Sequence, residues 1–117
     1  HNGDVYACDH YVETGYRLGN VATDRFLDML SSDGQREFGR SKRTALPRQC
    51  VECQVRWACH GGCPKDRFAT TASGEPGLNY LCAGYYAFYD HVTPAMRAMA
   101  QLIRAGRPAA DIMRREQ

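Results

Sequence analysis

The sequence predicts a small, loop-rich α+β domain, and three regions of the chain support this prediction. The first twenty residues are rich in β-forming side chains and are punctuated by glycine and asparagine. Residues 50–63 hold four cysteines within fourteen positions, and residues 49–77 have too much glycine and proline for long regular elements. Apolar side chains after position 78 recur at helical spacing. We therefore expect an N-terminal β-hairpin, a cysteine loop that binds a metal or cluster, and C-terminal helices.

The first elements follow from local signals. Residues 5–7, 11–12 and 16–18 favour strands, and the glycines between them favour a hairpin. Thr23 can cap a helix in which apolar residues recur at positions 26, 27 and 30. Ser32 or Asp33 can cap a second helix that runs to about residue 44, and Pro47 ends it.

Two helices are predicted after the cysteine loop. The first begins near Leu78 with an aromatic face beside Cys82, and Thr93-Pro94 is expected to break it and start the second. Residues 106–108 should end the second helix before a last turn over residues 109–115. We expect the apolar stripes of these helices to be core. The stripe on the last helix comprises Met96, Met99, Ala100 and Ile103.

The composition is typical of one modest domain over residues 1–117. The chain is 44% hydrophobic, and its net charge of +2 is too small to indicate a nucleic-acid partner. No apolar stretch approaches the roughly 20 residues of a membrane span, and no signal peptide opens the sequence. We therefore expect a cytoplasmic protein that binds neither nucleic acid nor membrane.

The spacing of the six cysteines indicates metal ligation. Four of them form a C-x2-C-x5-C-x3-C pattern, and Cys8 and Cys82 stand apart from it. Clustered thiolates select zinc, Cu(I) or an iron–sulfur cluster. A disulfide framework competes because the count is even, but nothing places the chain outside the reducing cytosol. A structural zinc site usually has two C-x2-C pairs, whereas this sequence has one, and Gly61 and Gly62 leave room for a bulky cubane cluster.

The combined spacing resembles that of a known family. Gly3-x4-Cys8, the four-cysteine pattern and the later Cys82 are similar to the carboxy-terminal SPASM domain of radical S-adenosylmethionine enzymes. The resemblance extends from Asn2 to about Tyr89, and only a leading cysteine of the family pattern is missing. Flanking strings resemble the anaerobic sulfatase-maturating branch most closely: NGDVY at 2–6, CDH at 8–10, LGN at 18–20, GGCPKDR at 61–67 and NYLC at 79–82.

The resemblance implies two auxiliary [4Fe–4S] clusters, the first with part of its ligands on the chain before His1. We therefore expect a domain truncated at its N-terminal edge, without the barrel that cleaves S-adenosylmethionine, and inactive alone. Zinc can substitute for a cluster on the same thiolates. The implied ligands are Cys50, Cys53, Cys59 and Cys82 for the complete second cluster, and Cys8 and Cys63 for the first.

The resemblance also implies the reaction of the parent enzyme, an oxidoreductase that converts a serine or cysteine of a sulfatase peptide to formylglycine. Its partners would be this peptide and the radical S-adenosylmethionine barrel of the same chain. Asp9 would be the general base that removes the proton of the substrate side chain. From the residues alone, a turn cap or a pair with an arginine is the simpler role for Asp9. His10 and His60 lie beside cysteines and are expected to support the sites without ligating them.

Two other functions stay open. The same domain occurs in other radical peptide maturases, which differ in substrate. A non-catalytic zinc-binding interaction module belongs to a different class, and broad sulfur-to-iron absorption together with metal analysis would distinguish it from a cluster protein.

Overall fold

The computed structural model describes residues 2–114, which form five helices, two small antiparallel hairpins and short 3-10 turns. The predicted α+β class is confirmed. Residue 115, where the last turn was predicted to end, lies outside the described residues. In chain order the elements are β1 (Asp4–Tyr6), a 3-10 turn (Thr14–Tyr16), β2 (Arg17–Asn20), α1 (Phe26–Ser31), α2 (Asp33–Thr44), α3 (Arg48–Val51), α4 (Arg56–Cys59), a 3-10 turn (Pro64–Asp66), β3 (Ala69–Thr70), β4 (Pro76–Leu78), α5 (Cys82–Arg104) and a 3-10 turn (Ala109–Met113).

β1 and β2 form the predicted N-terminal hairpin, with Val5 opposite Gly19 and a bulge after Val5. An ion pair between Arg17 and Asp4, with a nitrogen–oxygen distance of 2.7 Å, joins the two strands. Residues 11–12, which were predicted to be extended strand, lie in the connecting loop instead. Tyr11 is buried there, so its β-forming side chain serves the core rather than a strand.

The two helices after the hairpin are present, but only one has the predicted cap. Ser32 caps α2, because its hydroxyl accepts a hydrogen bond from the Gln35 N–H at 3.2 Å. The Thr23 cap of α1 is wrong, since Arg25 occupies the N-cap position. Asp24 instead accepts a hydrogen bond from a backbone N–H of β2 at 2.7 Å and turns the chain out of the hairpin.

A second hairpin, β3 and β4, was not predicted and lies between the cysteine loop and α5. Ala69 pairs with Leu78 across it. The Thr71 hydroxyl, on a residue only 6% exposed, accepts a hydrogen bond from the Glu75 N–H at 2.9 Å and closes the turn. The two strands are too short to give a strong sequence signal, yet they return the chain toward the cysteine loop before α5 begins.

One long helix, α5, replaces the two C-terminal helices that were predicted. Pro94 lies inside it, so the expected break at Thr93-Pro94 is wrong. Pro94 removes one helical N–H, whose acceptor would be the carbonyl of exposed Asp90, where water can replace it. The Thr93 hydroxyl also donates a hydrogen bond to the Tyr89 carbonyl. The predicted end is confirmed, with Gly106 at φ +73° just beyond the helix. Within residues 2–114, no helix has the length and apolarity needed to cross a membrane.

The chain buries little apolar surface. Its accessible surface is 8897 Å², whereas a compact monomer of 13.1 kDa exposes about 6,400 Å². Its radius of gyration is 19.4 Å, against about 13 Å for a compact chain of this length. The prediction that the apolar stripes are core is largely wrong for this chain, since Met96 is 50% and Ile103 61% exposed. The buried apolar residues of the described chain include Tyr11, Met29, Cys50 and Val55.

Candidate metal centre

Four of the predicted ligands line one cleft of about 610 Å³, although they belong to separate elements. α3 begins directly after Pro47 and α4 follows a short turn, so the two helices present their cysteines to the same space. We call this space the four-cysteine cleft. Its thiols come from α3, the turn after it, the end of α4 and the first residue of α5, and belong to Cys50, Cys53, Cys59 and Cys82.

Asn79 positions the last of these cysteines. Its side chain is nearly inaccessible, and its Oδ1 accepts a hydrogen bond from the Leu81 N–H at 2.9 Å. Its carbonyl accepts a hydrogen bond from the Cys82 N–H at 3.0 Å. The Asn79 amide also donates to the Cys63 carbonyl at 3.4 Å. A buried amide therefore connects the start of α5 to the cysteine loop.

Two thiols of the four-cysteine cleft, those of Cys50 and Cys82, are costly to ionise without a cation. Burial raises the pKa of the Cys50 thiol, and repulsion from the other three thiolates raises it further. Burial also raises the pKa of Cys82, as do Cys53 and Cys59, whereas a hydrogen bond from the Gln49 amide lowers it. A bound metal cation reverses this balance because it stabilises the thiolates.

The thiols of the four-cysteine cleft can be compared with the two kinds of centre that thiolates bind, a single zinc ion and a polynuclear cluster. Within residues 2–114, the potential ligand atoms of Cys8, Asp9 and His10 all lie within 4.8 Å of one another. No three thiols of the four-cysteine cleft, all of them described residues, lie that close together. Tetrahedral zinc with bonds of about 2.3 Å holds its sulfurs about 3.8 Å apart. A polynuclear cluster binds each thiolate through a different iron and so needs wider spacing. The thiolate donor set fits such a cluster.

The two remaining cysteines lie together at a second position. Cys8 follows β1 and Cys63 precedes the Pro64–Asp66 turn. His10 lies near both of them: its Nδ1 is 3.3 Å from the Cys63 Sγ, and a ring nitrogen is within 4.8 Å of the Cys8 Sγ. We call Cys8, His10 and Cys63 the second thiol group.

Asp9 projects from the second thiol group into solvent, with 88% of its side chain exposed. The Cys8 thiol donates a hydrogen bond to Asp9 Oδ1 at 3.2 Å, and a nitrogen of His10 lies 4.0 Å from the other oxygen. The hydrogen bond from the Cys8 thiol, and to a smaller extent the charge of His10, hold the pKa of Asp9 below its usual range. Among the described residues its side chain pairs with Cys8 and His10, so the alternative of an arginine partner is not realised.

A left-handed turn separates the two positions. Three consecutive residues, His60, Gly61 and Gly62, have φ values of 48°, 79° and 64°. A Cβ on Gly62 would lie 2.5 Å from the Asn79 amide nitrogen, so glycine is required there for space as well as conformation. The turn lets Cys59 line the four-cysteine cleft while Cys63, four residues later, reaches His10.

Arg67 holds this turn, and the sequence analysis did not single it out. Its guanidinium donates hydrogen bonds to the carbonyls of His60, Gly61 and Gly62 at 2.8–3.1 Å and to the Lys42 carbonyl of α2 at 3.0 Å. Arg67 ends the GGCPKDR string, but nothing in the string indicates this function. Gln49 was also missed, because its position next to a cysteine is its only sequence signal.

Comparison with known proteins agrees with the cysteine geometry. The family model described as SPASM, an iron–sulfur cluster-binding domain, matches residues 1–54. A serine-type anaerobic sulfatase-maturating enzyme of Bacteroides thetaiotaomicron is 49% identical over 113 residues, which cover 97% of this chain and 27% of that enzyme. Residues 1–54 belong to the SPASM domain family. A cysteine-type anaerobic sulfatase-maturating enzyme of Clostridium perfringens is 30% identical to this SPASM domain over 103 residues, covering 88% of the chain and 27% of the enzyme.

Solved structures show the same fold. Native anSMEcpe with bound AdoMet and Kp18Cys peptide is similar to this SPASM domain with a TM-score of 0.68 and 28% identity, covering 85% of this chain and 27% of that one. The SPASM domain spans about a quarter of the length of the curated relatives it matches. The predicted resemblance to the sulfatase-maturating branch and the iron–sulfur class of the domain are thus confirmed.

Proposed function

We propose that this SPASM domain is the auxiliary-cluster and substrate-contacting part of a radical S-adenosylmethionine oxidoreductase that converts a sulfatase serine or cysteine to formylglycine. The observation that carries the proposal is the position of four cysteines from separate elements around one cleft. Similarity to both serine-type and cysteine-type maturating enzymes supports the reaction class. By itself, the chain is expected to be inactive.

The four-cysteine cleft would hold one complete [4Fe–4S] cluster, which would supply one-electron transfer when bound. α3, α4 and the start of α5 position its thiolates, and burial of Cys50 to 8% exposure shields one side from water. Cys8 and Cys63 would bind the first cluster with ligands from outside residues 1–117. Zinc competes for the same thiolates, and metal analysis distinguishes it from a cluster.

Asp9 would act as the general base. Oxidation of a serine side chain to an aldehyde removes a hydrogen atom from Cβ, the hydroxyl proton and an electron, and we assign the proton to the Asp9 carboxylate. Its exposure leaves room for a substrate hydroxyl or thiol. Metal ligation of Cys8 removes the thiol proton that now bonds to Asp9, so the carboxylate would then be free to accept another.

The peptide and a catalytic barrel would be the partners of this domain. The apolar side chains that α1 and α5 expose, together with an accessible surface larger than that of a compact monomer, support contact with a barrel in a longer protein. The bound peptide in a similar structure supports the peptide assignment. The six free cysteines and the proposed clusters favour the reducing cytosol.

The test combines metal analysis with product analysis. The full-length protein is prepared anaerobically with iron and sulfide, and is then incubated with S-adenosylmethionine, a reductant and a sulfatase-derived peptide. We expect iron, acid-labile sulfide and an aldehyde detected by mass spectrometry. Zinc without sulfide would favour the interaction module, and clusters with a different peptide modification would favour another maturase.

A further inference from the structure

We infer that His10 and Gln49 are positioning residues, each of which donates an N–H hydrogen bond to one cysteine thiolate and thereby sets the reduction potential of one centre. The inference rests on the proposed binding of a cluster at each position. The two donors serve different cysteines: His10 contacts Cys63 of the second thiol group, and Gln49 contacts Cys82 of the four-cysteine cleft.

His10 reaches its cysteine across the fold. Its Nδ1 lies 3.3 Å from the Cys63 Sγ, although 53 positions separate the two residues. A metal-bound thiolate has no proton and can only accept, so the Nδ1 atom must carry the hydrogen. The ring also lies beside the Cys8 thiol. His10 therefore links the loop after β1, which also carries Cys8, to Cys63.

Gln49 makes the equivalent contact in the four-cysteine cleft. Its Nε2 lies 3.8 Å from the Cys82 Sγ, 33 positions along the chain. Gln49 lines the cleft directly before Cys50, so α3 supplies both a thiol and the donor to a second thiol.

Reduction potential is the property that such donors change. A cluster gains one negative charge on reduction, and that charge is shared with its sulfur ligands. An N–H donor stabilises the more negative state more strongly, and hydrogen bonds to sulfur are among the factors that set cluster potentials. Loss of a donor should therefore lower the potential of the cluster it contacts and leave the other cluster unchanged.

His60 provides a contrast within the same loop. It lies next to Cys59, but its hydrogen bonds in the described chain run through its backbone, from its N–H to Arg56 and from Arg67 to its carbonyl. Adjacency to a cysteine in sequence therefore does not make a histidine a donor. His10 is a donor because the loop after β1 carries it to Cys63.

The experiment is a potentiometric titration of the anaerobically reconstituted full-length protein, followed by electron paramagnetic resonance. Cys63→Ala first identifies the signal of the first centre, addition of S-adenosylmethionine identifies the signal of the barrel cluster, and the remaining signal belongs to the second centre. His10→Leu should then shift the reduction equilibrium of the first centre roughly tenfold toward the oxidised form, which is about 59 mV for one electron. Gln49→Leu should do the same for the second centre only. His10→Asn should restore the potential, because its amide N–H can occupy the place of Nδ1–H, and His91→Leu on exposed α5 should change neither.

Other outcomes would overturn the inference in distinguishable ways. Unchanged potentials in His10→Leu and Gln49→Leu with full iron content would refute the donor role alone. Loss of iron in His10→Leu would identify His10 as a ligand instead. A shift of both centres by each variant would indicate a general structural effect. Wild-type protein without iron and sulfide at these cysteines would contradict the proposed function itself.

Discussion

At the residue scale, the proposed ligation by the cysteines would couple metal binding to folding. Ionisation of the buried Cys50 thiol is opposed by burial and by the other three thiolates of the four-cysteine cleft, and the chain has little apolar core to stabilise it without a metal. Binding energy of a metal or cluster therefore becomes folding energy. The second thiol group has only two cysteines and lies at a more exposed position.

Replacement of single cysteines tests this difference. Cys53→Ala should unfold or aggregate the metal-replete chain, because it breaks the complete ligand set, whereas Cys8→Ala should have a mild effect. Thermal denaturation with parallel iron and zinc analysis measures both effects. Equal shifts in the melting temperature of the two variants would contradict the assignment of the complete set.

Asp9 is the second residue whose role can be measured. In the full-length protein, Asp9→Asn should retain cluster content and cleavage of S-adenosylmethionine but lower formylglycine formation by a factor of about 10² to 10⁴, the usual contribution of a general base. Asp90→Asn on the exposed surface of α5 is the control and should retain activity. If Asp9 only supports the turn, the change should cost roughly 1 kcal/mol or less of stability and leave product formation nearly normal.

At the scale of elements, helix ends that neighbouring residues define were predictable from the sequence, whereas the other helix ends and the turns were not. Ser32 caps α2 through a bond to a residue three positions on, and Gly106 follows α5 in the left-handed conformation. Pro94 lies inside α5 and does not end it. Its ring leaves one carbonyl unpaired, and water can satisfy that carbonyl. The left-handed turn between the two thiol positions depends on distant Asn79 and Arg67 as well as on its own glycines.

Two glycine substitutions, one in this turn and one in α2, should have opposite effects on the stability of the protein. Gly62→Ala should destabilise the protein by at least about 2 kcal/mol, because alanine is strained at φ +64° and its Cβ would displace the Asn79 amide. Gly39→Ala, at an open position inside α2, should stabilise it by about 0.5–1 kcal/mol. Melting temperatures and iron content of the two variants provide the measurement. A neutral Gly62→Ala that retains iron would show that the turn does not need this geometry.

At the scale of the whole molecule, exposed apolar side chains are the main feature. On α1, Phe26, Leu27 and Leu30 are 57%, 68% and 46% exposed, and the molecule measures 63 × 40 × 22 Å. A helix whose apolar stripe faces outward gains little from burial within this chain. The proposed contact with a catalytic barrel would supply the missing burial.

Leu27→Lys tests that contact by comparing two contexts. In the chain by itself the change should alter stability by no more than about 0.5 kcal/mol, because the side chain is exposed. In the full-length protein it should cost about 1.5–3 kcal/mol, because burial of a leucine would be lost. Ser31→Lys on the same helix is the matched control. Equal effects of Leu27→Lys in both contexts, measured by thermal unfolding, would argue against the barrel contact.

The sequence by itself determined the α+β class, the N-terminal hairpin, the Ser32 cap and the set of cysteines, because each depends on residue types within a few positions. The tertiary structure decided which groups meet. The unpredicted hairpin of β3 and β4 returns the chain so that Asn79 can place Cys82 in the cleft. The tertiary structure also decided that His10 reaches Cys63, that Arg67 holds the loop, and that the apolar stripes face outward. These contacts join distant segments, and the free energy that selects them depends on the path of the whole chain rather than on any local pattern.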